Sequence, residues 1–204
     1  MALATAIKIS GVNHLTDARY CAGMHVDMLG FCLEETSTRH LSPALYRDIT
    51  GWISGIDLVA EFSNSKTSTI QEALKLYPGI THVECEELES LLPMRGKNLG
   101  LIYKTSIDRL MHQQELFEKL KDQNITLHFT SQYNILSIDY QNFILNASSY
   151  SSVYLGFGIK AENAKKLSQM PGVKGLALDA GDEIKPGLRD FEQLADILES
   201  LEEE

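Results

Sequence analysis

No apolar run in this 204-residue chain approaches the length that crosses a bilayer, and the stretch before Lys8 is brief and has no small-residue cleavage pattern. Neither a membrane span nor a signal peptide is expected. Cysteine is scarce: Cys21, Cys32 and Cys85 are odd in number and have no CxxC spacing, which argues against a disulfide framework or a structural zinc site. The pattern fits reduced thiols in a cytoplasmic protein. Positive charge is also short, with 18 Lys and Arg against 28 Asp and Glu, a net charge of −10 and a pI near 5.1. Binding a phosphate backbone or an anionic membrane needs a basic face, so neither nucleic acid nor a membrane is an expected partner. No His, Cys or carboxylate spacing on one element fits a metal pattern. No linker or low-complexity stretch divides residues 1–204, which read as one domain, and no uncovered hydrophobic stripe fixes an oligomeric state.

What is present is a repeating alternation. Apolar runs of strand length fall at 6–10, 26–31, 57–62, 81–85, 98–103, 125–129, 152–156 and 175–179. Between and after them, stretches of helical period cover 15–24, 43–52, 66–76, 86–92, 106–122, 138–145, 161–169 and 190–201. Ser42-Pro43 reads as an N-cap followed by proline in the first helical position, and Asp190 reads as the cap of the last helix. Eight βα units in this length predict a compact α/β fold, an eight-stranded (β/α)8 TIM barrel.

In such a barrel the functional groups lie at the C-terminal strand ends and in the loops that follow. Those positions hold Ser10, Cys32, Glu61, Glu84, Lys104, His128, Gly156 with Gly158, and Asp179 with Gly181. A serine hydroxyl keeps its proton unless a neighbour takes it, so Ser10 alone is a poor base, whereas His128 can give or accept a proton near neutral pH. Arg39 offers a planar fork for a carboxylate, or else pairs with Glu34 or Glu35. Glu61 and Glu84 either face the mouth or serve as partners for Lys or Arg. A hydrolytic trio of Ser10, His128 and Asp179 is a further reading.

The run Ile7-Lys8-Ile9-Ser10-Gly11-Val12 with Leu15, Asp17 and Ala18 resembles the opening of phosphoribosylanthranilate isomerases, K-I-C-G-[IL]-T followed by E-D-A. Leu29-Gly30-Phe31 and Ser37-Thr38-Arg39-His40-Leu41-Ser42-Pro43 are similar to that family's G-F-x-F and S-x-R-x-[IV]-S-P. Gly156-Phe157-Gly158-Ile159-Lys160-Ala161-Glu162-Asn163-Ala164 resembles S-G-G-L-x-P-E-N-V, and the segment from Leu178 to Asp190 resembles V-S-S-G-V-E-x-x-P-G-x-K-D. The middle third matches in element order only.

The resemblance implies a barrel of tryptophan biosynthesis that converts an aminoaldose phosphate to an aminoketose phosphate without a cofactor, its partner a small phosphorylated substrate. It implies proton transfer at Ser10, where the family has a cysteine base, and at His128, where it has an aspartate acid. Arg39 would read the substrate carboxylate, and Gly156, Gly158, Asp179 and Gly181 would form the substrate's phosphate side. The family's glycine-rich run after strand six is replaced by Thr130-Ser131-Gln132-Tyr133-Asn134, and its serines after strand eight by Asp179 and Ala180. Two readings follow. One is an isomerase of this type, and the other a diverged barrel that binds another small ligand or a partner chain.

Overall fold

The computed structural model describes residues 2–121, 123–133, 136–180, 183–185, 188–189 and 192–203, with the backbone alone at 114, 183–185 and 188–189. Eight parallel strands close into a barrel: β1 (Ala6–Ser10), β2 (Met28–Cys32), β3 (Asp57–Phe62), β4 (His82–Cys85), β5 (Gly100–Ser106), β6 (Ile125–Thr130), β7 (Val153–Leu155) and β8 (Gly175–Asp179). β1 completes the ring on β8 in a register that runs from Ala6↔Gly175 to Ser10↔Asp179. The helices are α1 (Leu15–Gly23), α2 (Pro43–Thr50), α3 (Thr67–Leu74), α4 (Leu88–Leu91), α5 (Ile107–His112), α6 (Gln114–Leu120), α7 (Ile138–Ala147), α8 (Ala161–Ser168) and α9 (Glu192–Ser200). The expected (β/α)8 barrel is the fold observed.

Alternation along β1 divides its side chains. Ile7 and Ile9 join the apolar layer between sheet and helices, while Lys8 and Ser10 face the lumen. Outside the sheet, Tyr46 of α2 is fully buried, packed edge-on against Phe31 and Tyr77 with ring centroids 5.2 and 5.1 Å away. Its hydroxyl donates to Pro78 O at 2.8 Å. Ser42 caps α2 as its sequence suggests, accepting from Leu45 N, with Pro43 in the first turn.

Several boundaries differ from the sequence expectation. β2 starts at Met28, two residues late, because His25 takes a left-handed backbone (φ 57°) that ends the α1 segment and Val26 N turns back to Cys21 O. β5 runs to Ser106, paired with β6 as far as Ser106↔Thr130. The single helix expected over 106–122 is two, broken at Gln113 (φ −121°, ψ 72°). Leu116, Phe117 and Leu120 lie about a third of a turn out of phase with Ile107, Leu110 and Met111, so one straight helix would carry one set away from the core. A short antiparallel pair, β9 (Glu183–Lys185) with β10 (Leu188–Arg189), follows β8 and was not expected. The proposed cap Asp190 lies outside the described residues; α9 itself forms and buries Leu194, Ile197 and Leu198.

The two ends of the chain meet. Ala4 N donates to Leu201 O at 2.8 Å and Glu203 N to Ala2 O at 3.0 Å, clasping the N-terminal strand's approach to the end of α9.

Tyr46→Ala removes a buried aromatic, two ring contacts and a hydrogen bond, and is expected to cost about 3–5 kcal/mol. Tyr46→Phe, losing the hydroxyl alone and leaving Pro78 O without it, should cost about 1 kcal/mol. Urea unfolding of the two variants measures both.

Candidate active site

The barrel's interior is charged where such lumens are ordinarily filled by branched apolar side chains. Lys8, 1% exposed, reaches up the lumen from β1 and donates through Nζ to Ser10 Oγ at 2.6 Å and Glu61 Oε1 at 2.6 Å. Its Nζ lies 3.1 Å from Glu84 Oε2. The same Glu84 oxygen lies 2.9 Å from His128 Nδ1. The other oxygen of Glu61 accepts from Gly11 N at 3.0 Å, which ties the carboxylate to the turn after Ser10. A continuous polar chain thus runs from Ser10 through Lys8 and Glu84 to His128, contributed by β1, β4 and β6.

Register makes this assembly possible. Glu61 and Glu84 are aligned partners on β3 and β4, and Lys104 and His128 on β5 and β6; Glu84 itself pairs with Ile102, two residues before Lys104, so the second pair is stepped one lumen-facing position further along its strands. Space for them comes from two glycines. A Cβ on Gly30 would lie 2.0 Å from Glu61 Oε1, and one on Gly156 would lie 2.4 Å from His128 Nε2.

The charge states follow from the environment. Burial pushes the Lys8 ammonium toward neutrality, but Glu61 and Glu84 outweigh it and hold the group above its ordinary 10.5. Burial likewise works against ionised Glu84, yet Lys8, then His128, hold it well below its ordinary 4.5. Lys104 is raised as well: burial opposes its charge, and Glu84, Glu86 and Glu61 outweigh burial, with Glu86 Oε1 at 3.1 Å from its Nζ. Lys8 is therefore a fixed cation and cannot take the proton of Ser10. With a lone pair engaged by that ammonium, the Ser10 hydroxyl is polarised toward donating. Ionised Glu84 requires a proton on His128 Nδ1, which leaves Nε2 as the reactive nitrogen.

Around this floor the remaining candidates divide. Arg39 is exposed and its Nη2 donates to Gly11 O at 3.4 Å, beside the turn after Ser10, where Gly11 adopts φ +67°. Glu34, one of the alternative partners for Arg39, instead accepts from Ser63 N, Asn64 N and Ser65 Oγ. Asp179 is the exposed register partner of Ser10 at the rim and makes no hydrogen bond to Ser10 or His128 in a hydrolytic arrangement. Gly156 lies against His128, and Gly158 (φ +70°) lies beyond it on the way to α8. Gly181 lies outside the described residues. On the β5–β6 side, Asp108 accepts from Ser106 Oγ at 3.3 Å, from Ser131 Oγ at 3.5 Å and from the Tyr140 hydroxyl, placing a carboxylate beside the loop after β6.

Lys8 and Asp108 are the residues that strand-end reading missed. Lys8 lies below the strand end, but its parity with Ser10 on β1 was a usable signal. Among the described residues no group of three or more His, Cys, Asp or Glu side chains is placed to hold a metal ion, and no helix is long and apolar enough to cross a membrane.

No protein-family profile matches the chain, and no curated protein does. Solved structures do match. Phosphoribosyl anthranilate isomerase from Thermotoga maritima superposes with a TM-score of 0.76 at 19% identity, over 97% of this chain and 98% of that one. The enzyme from Thermus thermophilus gives 0.73 at 19%, over 96% and 98%. A phosphoribosyl anthranilate isomerase in complex with reduced 1-(o-carboxyphenylamino)-1-deoxyribulose 5-phosphate gives 0.74 at 18%, over 97% and 98%. At such identities the likeness establishes a shared architecture along nearly the whole length of both chains.

The buried ion network sets the pH dependence of stability. Glu84, depressed below 4.5, contributes fully above that pH and loses its contribution as pH falls below it; Lys8, raised above 10.5, contributes fully below that pH and loses its contribution as pH rises beyond it. Glu84→Gln leaves Lys8 and His128 short of a buried partner and should cost about 3–5 kcal/mol at neutral pH. Denaturant titrations at a series of pH values should then show a flatter acid limb in the variant, and parallel limbs would refute the assignment.

Proposed function

We propose that this chain is a proton-transfer enzyme of the isomerase type, related to the phosphoribosylanthranilate isomerases, in which His128 backed by Glu84 moves the proton. The observation that carries this reading is the 2.9 Å contact between His128 Nδ1 and a Glu84 carboxylate kept ionised by Lys8. A buried carboxylate fixes the tautomer and orientation of the imidazole and stabilises the imidazolium formed when Nε2 accepts a proton. Abstraction of a proton from carbon next to an imine or carbonyl, and its return to the neighbouring atom, is the aldose-to-ketose step. Ser10, polarised by Lys8, would donate a hydrogen bond to the oxygen on which charge develops. Arg39, beside the Ser10 turn, would anchor a substrate carboxylate. The motif resemblance at both ends of the chain and the shared architecture point to a substrate of the aryl-aminoaldose phosphate class and to a place in tryptophan biosynthesis.

A second reading, a diverged barrel that binds a small ligand without turnover, is favoured by two observations. The position of the family's cysteine base holds a hydroxyl bonded to an ammonium, and Asp108 faces the loop after β6, where it would repel a phosphate dianion.

Complementation of an isomerase-deficient tryptophan auxotroph, with direct turnover of phosphoribosylanthranilate, separates the two. The isomerase reading expects rescue that is lost in His128→Ala and turnover that falls about 10²–10⁴-fold. Ser10→Ala should retain more activity than His128→Ala. Absence of rescue and turnover, together with no calorimetric binding of the reduced product analogue, overturns the isomerase reading and supports the second; rescue that is lost in His128→Ala overturns the second.

A further inference from the structure

Outside the barrel, a groove of about 680 Å³ runs along α8 from Lys160 at its N-cap to Pro171 beyond its C-terminal end, walled on the other side by Leu136 and by Gln141 of α7. Its volume falls within the range that holds a small organic molecule. The lining combines an apolar floor, including Leu136, Leu167 and Met170, with the amides of Gln141, Asn163 and Gln169 and the ammonium groups of Lys160 and Lys166. Among the described residues no carboxylate lines it, although the chain carries a net charge of −10, and neither lysine is ion-paired with a described residue. A pocket with positive charge, amide donors and an apolar floor selects an amphipathic anion, with an aryl or alkyl body against Leu167 and Met170 and an acidic head between the lysines.

A second copy of the chain fits poorly. An isologous contact centred on the groove would gather the lysines of both copies into one interface, with no described lining carboxylate to meet them.

The groove also adjoins the mouth. Asn163, which lines it, donates through Nδ2 to Gly158 O at 2.8 Å and accepts from Lys160 N at 2.8 Å, so the same side chain that meets a ligand fixes the loop leading from Gly156. Gly156 in turn abuts His128, and Phe157 between the two glycines packs edge-on against Tyr140 at 5.9 Å.

We propose that the α7–α8 groove is a second ligand site, separate from the barrel mouth, that binds a small amphipathic carboxylate and touches the loop bordering His128. The proposal does not depend on catalysis, and its test uses none. The probes are 2-naphthoate and its uncharged amide, titrated into the full chain and followed by amide NMR and calorimetry. Naphthoate should shift Gly158, Asn163 and Gln169 first, with Gly156 moving along the same isotherm. The uncharged amide and the Lys160→Gln/Lys166→Gln double variant should each bind about tenfold more weakly or worse, the loss expected when charge-assisted bonds to the head are removed. Arg39→Gln, altered at the mouth, should bind naphthoate at the groove unchanged. Shifts confined to Ser10, Gly11 and Arg39, equal affinity for acid and amide, or an unaffected double variant would each overturn it. Because both lysines are exposed, the double variant is expected to keep its fold, which its unperturbed amide spectrum would verify.

Discussion

The ammonium of Lys8 is the interaction on which the rest of the molecule depends. An isolated cation at the centre of a barrel would cost many kcal/mol in lost hydration, and it is tolerable here because two carboxylates and a hydroxyl meet it within 3.1 Å. Those partners come from three different strands. The demand for their simultaneous arrival fixes how β1, β3 and β4 are aligned, and it excludes a side chain at Gly30, whose Cβ would displace Glu61. Removing the cation would leave Glu61 and Glu84 aligned on adjacent strands with like charges facing one another.

The same arrangement decides what the mouth can do. The Ser10 hydroxyl offers no tunable thiol, and the lysine beneath it supplies no basicity, because its own proton is held by two glutamates. The network instead sends polarisation in two directions. One end makes Ser10 a better donor, and the other makes His128 an oriented imidazole with Nε2 toward Gly156. Proton-accepting capacity in the lumen therefore lies with the β6 imidazole and not with the β1 hydroxyl, and Arg39 stands beside the turn at Gly11.

Much of the architecture was legible in the sequence because it rests on local signals: strand-length apolar runs, helical periodicity and caps such as Ser42-Pro43. The break at Gln113 was hidden because no proline or glycine marks it; only the phase slip of the apolar residues does. The strand ends pointed to Ser10, Glu61, Glu84, Lys104 and His128. What they could not convey was who pairs with whom, since that depends on strand register between segments as distant in sequence as those of Lys8 and Glu84. Lys8 has no strand-end signal because it lies one lumen-facing position below Ser10, away from the loops. Asp108 and Tyr140, joined across the loops after β5 and β6, have no motif to announce them.

The ring closes late. Ala6 pairs with Gly175, and the clasp at Ala4 and Glu203 joins segments about two hundred residues apart, so the barrel's first strand waits for its last before its open edge is satisfied. During synthesis, β1 can pair with β2 on one side only, and Lys8 receives Glu61 and Glu84 well before its second neighbouring strand emerges. The nascent sheet therefore carries its charge cluster early and its seam last, and any delay between β4 and β8 leaves an unpaired strand edge exposed to other chains.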